Sequence, residues 1–180
     1  MTRKLQPDPS SNIGLAHPEK PHSPASMLLF PNHRHLEASK KIYGRAAILA
    51  AKDCRLSSCA PKEAWDNAIN GVTKSPDSRT KCCPRGAFLG LCEDGLVDGI
   101  PRGTYILSGK KENKEYAVTA VGMLRDGFPP AEGSLALWPK ILQRIPNTTQ
   151  AHKAHNGQMD VVLALWCNGF IVGSKIEPEA

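Results

Sequence analysis

No stretch of these 180 residues is long and apolar enough to cross a membrane as a helix. The start, MTRK, is basic but has no apolar run behind it. The run SMLLF at 26–30 is too short, and too far into the chain, for a signal-peptide core. The chain therefore reads as cytoplasmic, with its six cysteines as reduced thiols. Glycine-rich phosphate loops are missing: neither G-x-x-x-x-G-K-[ST] nor G-x-G-x-x-G occurs. A closed zinc site also lacks its parts. Cys54 and Cys59 are spaced as a pair, but adjacent Cys82 and Cys83 suit tetrahedral ligation poorly, and no second short Cys or His pair completes the set. The sequence thus predicts neither a bound metal nor a cofactor.

What is present is a basic chain with the length to bury a core without staples. The formal charge is +6 and the pI about 9.1, which fits nucleic acid or another acidic partner without demanding one. Residues 1–37 form a tail punctuated by Pro7, Pro9, Pro18, Pro21, Pro24 and Pro31, where neither helix nor sheet propagates. His17, His22, His33 and His35 lie on it as solvated side chains. Residues 38–174 form one helical domain, and 175–180 fray.

The helices follow from apolar spacing. The first begins near 36–39 and runs to about 52, with Ile42, Ala46, Leu49 and Ala50 on one face. The second, APKEAWDNAINGV, has Pro61 in its first turn, and Ala64, Trp65, Ala68 and Ile69 as its buried stripe. A polar loop, TKSPDSRTKCC, follows. GIPRGTYIL, at 99–107, is turn-rich and then β-prone, with room for one short hairpin. Two more helices show Tyr116, Ala117, Ala120, Val121 and Leu124, then Leu135, Leu137, Trp138, Ile141 and Leu142. The expected fold is all-α, a bundle-like domain of about six helices.

One pattern occurs twice. In PRGAFLGLCEDGLVDG, at 84–99, an apolar helix runs into Asp94-Gly95, two apolar residues and a second glycine. VVLALWCNGFIVG, at 161–173, repeats this through Asn168-Gly169. Glycine supplies the left-handed conformation that closes a last helical turn, and the next apolar residue folds back on the helix. The two helices are predicted to pack together as the core pair.

The strings CPRGAFLGLCEDGLV (83–97) and NGQMDVVLALWCNGFI (156–171) resemble an uncharacterised bacterial family of unknown function. The resemblance covers roughly residues 40–172 and leaves out the tail. It implies a bacterial or mobile-element source and transfers no activity.

Two chemistries are legible at the polar entrances of the paired helices. Arg79, Lys81, Arg85, Arg102, Lys110 and Lys111 gather in sequence around the first, where they would neutralise phosphates or acidic side chains. The helix itself, AFLGLCEDG, offers no side chain to read bases. Alternatively, Cys83 at a helix start is a candidate nucleophile, with His155 as base and Asp160 or Asn156 as orienting group. Asp160 also complements the helix dipole. The expected function is a non-enzymatic binding or regulatory role toward a nucleic-acid or protein partner, without membrane contact. The second reading is a cysteine-dependent amide hydrolase or acyl transferase.

Overall fold

A computed structural model of the chain describes residues 37–106, 111–145 and 154–174. The proline-rich tail with its histidines, Lys110 and the C-terminal 175–180 lie outside these. Among the described residues there are seven α-helices: α1 (Ile42–Ser57), α2 (Pro61–Val72), α3 (Pro76–Thr80), α4 (Cys82–Glu93), α5 (Glu112–Arg125), α6 (Gly133–Arg144) and α7 (Gln158–Cys167). The all-α expectation holds, and no strand is present among the described residues.

Three details differ from the sequence reading. The first helix is broken: residues 37–40 make a separate turn, and α1 starts at Ile42. The polar loop contains the one-turn α3, started by Pro76 and capped by Ser75, whose hydroxyl accepts from the Ser78 N–H at 3.3 Å. The GIPRGTYIL segment has no hairpin in its described part.

The core is built on small contacts and one central helix. α1 buries Ala46, Ala47, Ala50 and Ala51, a stripe with almost no side chain, so neighbours approach its backbone closely. Gly44 extends this: a Cβ there would fall 1.9 Å from the Ala38 carbonyl oxygen and 3.0 Å from Cβ of Ala164 on α7. α2 returns along α1, and its Trp65 packs on Phe88 of α4 with ring centroids 5.4 Å apart. α7 is buried from Gln158 to Leu165, on every face, as a helix at the centre of a core must be.

The duplicated stop is a Schellman motif in both copies. Gly95 N–H donates to the Cys92 carbonyl and Leu96 N–H to Leu91; Gly169 N–H donates to Trp166 and Phe170 N–H to Leu165. α5 ends the same way, with Gly127 N–H on Leu124 and Phe128 N–H on Met123. The three glycines have φ of +63°, +71° and +96°. The first two returns then pair with each other. Val97 and Ile171 form an antiparallel bridge, flanked by Asp98 N–H to Phe170 O at 2.8 Å and Val172 N–H to Leu96 O at 3.0 Å. Exchanging the copies maps one hydrogen bond onto the other, so the junction has a local two-fold axis.

This junction fixes helix direction. The C-terminal ends of α4 and α7 meet at the bridge, and Arg125 at the end of α5 donates to Val172 O at 2.6 Å. At the other end, Asn113 in the first turn of α5 accepts from Gln158 Nε2 at 2.9 Å, and lies against Gly86 near the start of α4. α4 and α7 therefore run side by side in one direction, whereas the first turn of α5 lies across α4 from Gly86 to Gly90, with Lys114 reaching Glu93 and Asp94 at the far end of α4.

Candidate binding site at the helix entrances

The two entrances singled out by sequence, 81–85 and 155–160, both adjoin Tyr43. Lys81 Nζ is 5.9 Å from the centroid of the Tyr43 ring. A Cβ on Gly157 would fall 2.4 Å from Cδ2 of that ring, so only glycine fits, and its φ of +93° selects glycine as well. Gly157 occupies the α7 N-cap; Asn156, the candidate orienting group, has φ +39° and its Nδ2 donates to the Ala154 carbonyl at 3.1 Å.

Asp160 is buried in the first turn of α7, where the dipole favours a carboxylate. Its Oδ1 accepts from Lys41 Nζ at 2.9 Å and from the Ser134 hydroxyl. His155 is half-buried with its ring edge-on to Trp138 at 6.5 Å. Its Nδ1 accepts from the Gly157 N–H at 3.3 Å, which puts the proton of the neutral ring on Nε2. Among the described residues, neither Asp160 nor Asn156 hydrogen-bonds the imidazole; the Asp160 carboxylate is engaged by Ser134 and Lys41.

Burial pushes the His155 pKa below its ordinary 6.5; Asp160 pulls it up, while Lys41 and Lys81 add to the depression. A histidine held neutral in the fold binds fewer protons than in the unfolded chain. Its contribution is fully present above about 6.5 and is lost as pH falls below that value. His155→Gln is expected to flatten the dependence of the urea midpoint on pH between about 5 and 7. An unchanged slope would remove His155 from the acid response.

At the α4 entrance, the predicted arginines have internal partners. Arg79 Nε donates to the Thr73 carbonyl at 2.8 Å and its Nη2 to Asn70, closing the end of α2. Arg102 Nε donates to the Asp94 carbonyl at 2.8 Å, across the α4 stop. Arg85 Nη2 donates to Asp66 at 2.9 Å, but its Nε is shut from solvent with no acceptor among the described residues. Lys81 and Lys111 are exposed at the starts of α4 and α5, and Lys62 is exposed at the start of α2.

Cys82 is exposed at the first position of α4 and Cys83 is half-buried at the second. The more buried thiols are held protonated. Burial raises Cys54 and Cys167 to about 11 and pushes Cys92 up as well. Among the described residues no group of three or more His, Cys, Asp or Glu is placed to hold a metal ion.

A cleft of about 170 Å³ opens beside Cys82. Leu89, Tyr105 and Ile106 form its apolar walls, and Lys62 and Arg85 bring the positive charge. Tyr105 and Ile106 belong to an extended segment, and buried Glu93 is what positions it. One carboxylate oxygen of Glu93 accepts from the N–H groups of Tyr105 at 2.9 Å and Ile106 at 2.7 Å, and the other from Lys114 Nζ at 3.0 Å. Burial alone would raise the Glu93 pKa; the Ile106 N–H, Lys114 and the Tyr105 N–H outweigh it and hold the carboxyl below its ordinary range. Sequence reasoning did not assign roles to Glu93, Lys41, Tyr43, Ser134 or Lys62. An acid ending an otherwise apolar helix was the one signal available, for Glu93.

A family model described as a family of unknown function, DUF6979, matches residues 39–172, and the chain belongs to that family. No curated protein and no solved structure matches it. The family covers nearly the span over which the sequence resemblance was drawn. Among the described residues, no helix is long and apolar enough to cross a membrane.

Proposed function

We propose that this chain is a non-enzymatic binding protein of the bacterial cytoplasm, which engages an acidic protein partner through the lysines at its helix entrances. The observation carrying this reading is how the cations are divided. Arg79, Arg85 and Arg102 are bonded within the chain, to carbonyls or a carboxylate, whereas Lys62, Lys81 and Lys111 face solvent at the starts of α2, α4 and α5. Each of these lysines stands at a helix start, where the local partial positive charge of the helix adds to its ammonium group. Base-edge and phosphate recognition favour the planar fork of arginine, and those forks are engaged elsewhere. Flexible ammonium groups suit scattered carboxylates on a protein surface.

Titration with poly-glutamate and with DNA and RNA oligomers, at about 50 and 200 mM salt, tests the reading. Poly-glutamate is expected to bind, and the double change Lys81→Glu with Lys111→Glu to weaken it by about tenfold or more. Tighter binding of DNA or RNA than of poly-glutamate, with a steep salt slope, overturns the protein reading in favour of nucleic acid.

A further inference from the structure

We infer that the outward face of α1 is a docking surface for an acidic amphipathic helix of a partner protein. This rests on the acidic-partner reading above and gives that partner a secondary structure. The helix is built inside out. Ala46, Ala47, Ala50 and Ala51 are buried where α1 packs on α2 and α7, while Ile42, Leu49 and Leu56 face solvent. Apolar spacing alone grouped Ile42 and Leu49 with Ala46 and Ala50, yet only the alanines are covered. The three aliphatic side chains are 39%, 45% and 86% exposed, and they are three of the five exposed large hydrophobic residues among those described. Scattered singly, such residues need no explanation; gathered on one helix face they mark a contact surface.

Their spacing says what kind of contact. Ile42, Leu49 and Leu56 follow one another at intervals of seven residues. A straight helix drifts about 20° per heptad, so the three stay within an arc of about 40°. At 1.5 Å per residue the row runs about 21 Å along the axis. This is the seam of a helix-on-helix contact, narrower than the apolar face with which a helix lies in a lipid interface.

The charges beside the seam select the partner. Arg45 and Lys52, three residues beyond Ile42 and Leu49, line one edge. Both are exposed, and neither is ion-paired among the described residues. On the other edge Asp53 is half-buried and accepts from the Ser57 hydroxyl at 3.0 Å. The open charge on this face is therefore positive, and an acidic row on a facing helix answers it. In a symmetric antiparallel pairing of two copies the basic edge would meet itself, so charge disfavours a second copy as the occupant.

A labelled peptide of three Leu-Glu-Ala-Leu-Glu-Glu-Ala heptads is titrated with the full chain and followed by fluorescence anisotropy. A scrambled peptide of the same composition, a version with lysine for every glutamate, and poly-glutamate are run beside it. The acidic helix is expected to bind more tightly than its scramble or poly-glutamate. Leu49→Gln with Leu56→Gln, both at exposed positions, is expected to weaken that binding about tenfold or more and to leave poly-glutamate binding unchanged. Arg45→Glu with Lys52→Glu is expected to reverse the preference, toward the lysine peptide. Binding no tighter than that of the scramble, or indifferent to both double substitutions, overturns the inference. Tighter association with phosphatidylglycerol vesicles than with the acidic helix overturns it in favour of a lipid surface. A dimer in sedimentation that Leu49→Gln abolishes overturns it in favour of a second copy. If poly-glutamate binds while the acidic helix does no better than its scramble, only the α1 face is wrong; if neither binds, the acidic-partner reading falls as well.

Discussion

Gly44→Ala is expected to destabilise the fold by about 2–3 kcal/mol, although helix propensity alone argues for a gain of about 1 kcal/mol. The position lies inside α1, where alanine is the better helix former. Its Cβ would sit 1.9 Å from a backbone oxygen, that of Ala38, and cannot be relieved by a rotamer change. Either the turn at 37–40 shifts or α1 moves away from α7. Gly122 in α5 is the control, because a Cβ there meets nothing within 4 Å. Gly122→Ala is expected to stabilise by up to about 1 kcal/mol. Urea midpoints at unchanged m-value check the pair. Shifts of the same sign in both variants would refute the close approach of α1 to the 37–40 turn.

Glu93→Gln is expected to cost about 2–4 kcal/mol, since removing one partner of a buried ion pair strands the other. Lys114 keeps a second partner in Asp94, at 2.7 Å, which holds the loss below the upper end for such pairs. The substitution also changes the acid response. A carboxyl with a lowered folded pKa contributes stability that is present above the unfolded value and lost as pH falls through the folded one. The acid limb of the stability profile is therefore expected to shrink in the glutamine variant. Hydrogen exchange at Tyr105 and Ile106 supplies the local readout, because both amides donate to Glu93. Faster exchange confined to these amides locates the effect; unchanged exchange would show that the segment is held by something else.

Helix content was legible because apolar spacing survives any tertiary arrangement. Ala64, Trp65, Ala68 and Ile69 were expected on one buried stripe and are buried together. The paired stops were legible because Asp-Gly and Asn-Gly encode a local backbone conformation. That they bridge to each other was not, since nothing local in Val97 specifies Ile171. The site shows the same division. Sequence placed Lys81–Arg85 and His155–Asp160 at helix entrances, and both entrances adjoin Tyr43. The partners of Asp160 were out of reach: Lys41 is 119 residues away and Ser134 is 26. Composition counts arginines without showing their acceptors, and Arg79 and Arg102 turned out to close helix ends.

The central position of α7 bears on how this chain acquires its structure during synthesis. It is the most completely enclosed of the described helices and the last of them to leave the ribosome. Until then α1, α4 and α5 have apolar surfaces with no partner at the middle of the bundle, and the Leu96–Asp98 segment lacks the bridge partner that answers it. A nascent chain stalled before residue 158 would present that surface to chaperones or to other copies of itself. In the folded chain that ten-residue helix fills the middle of the bundle, and its return completes the bridge to Leu96–Asp98.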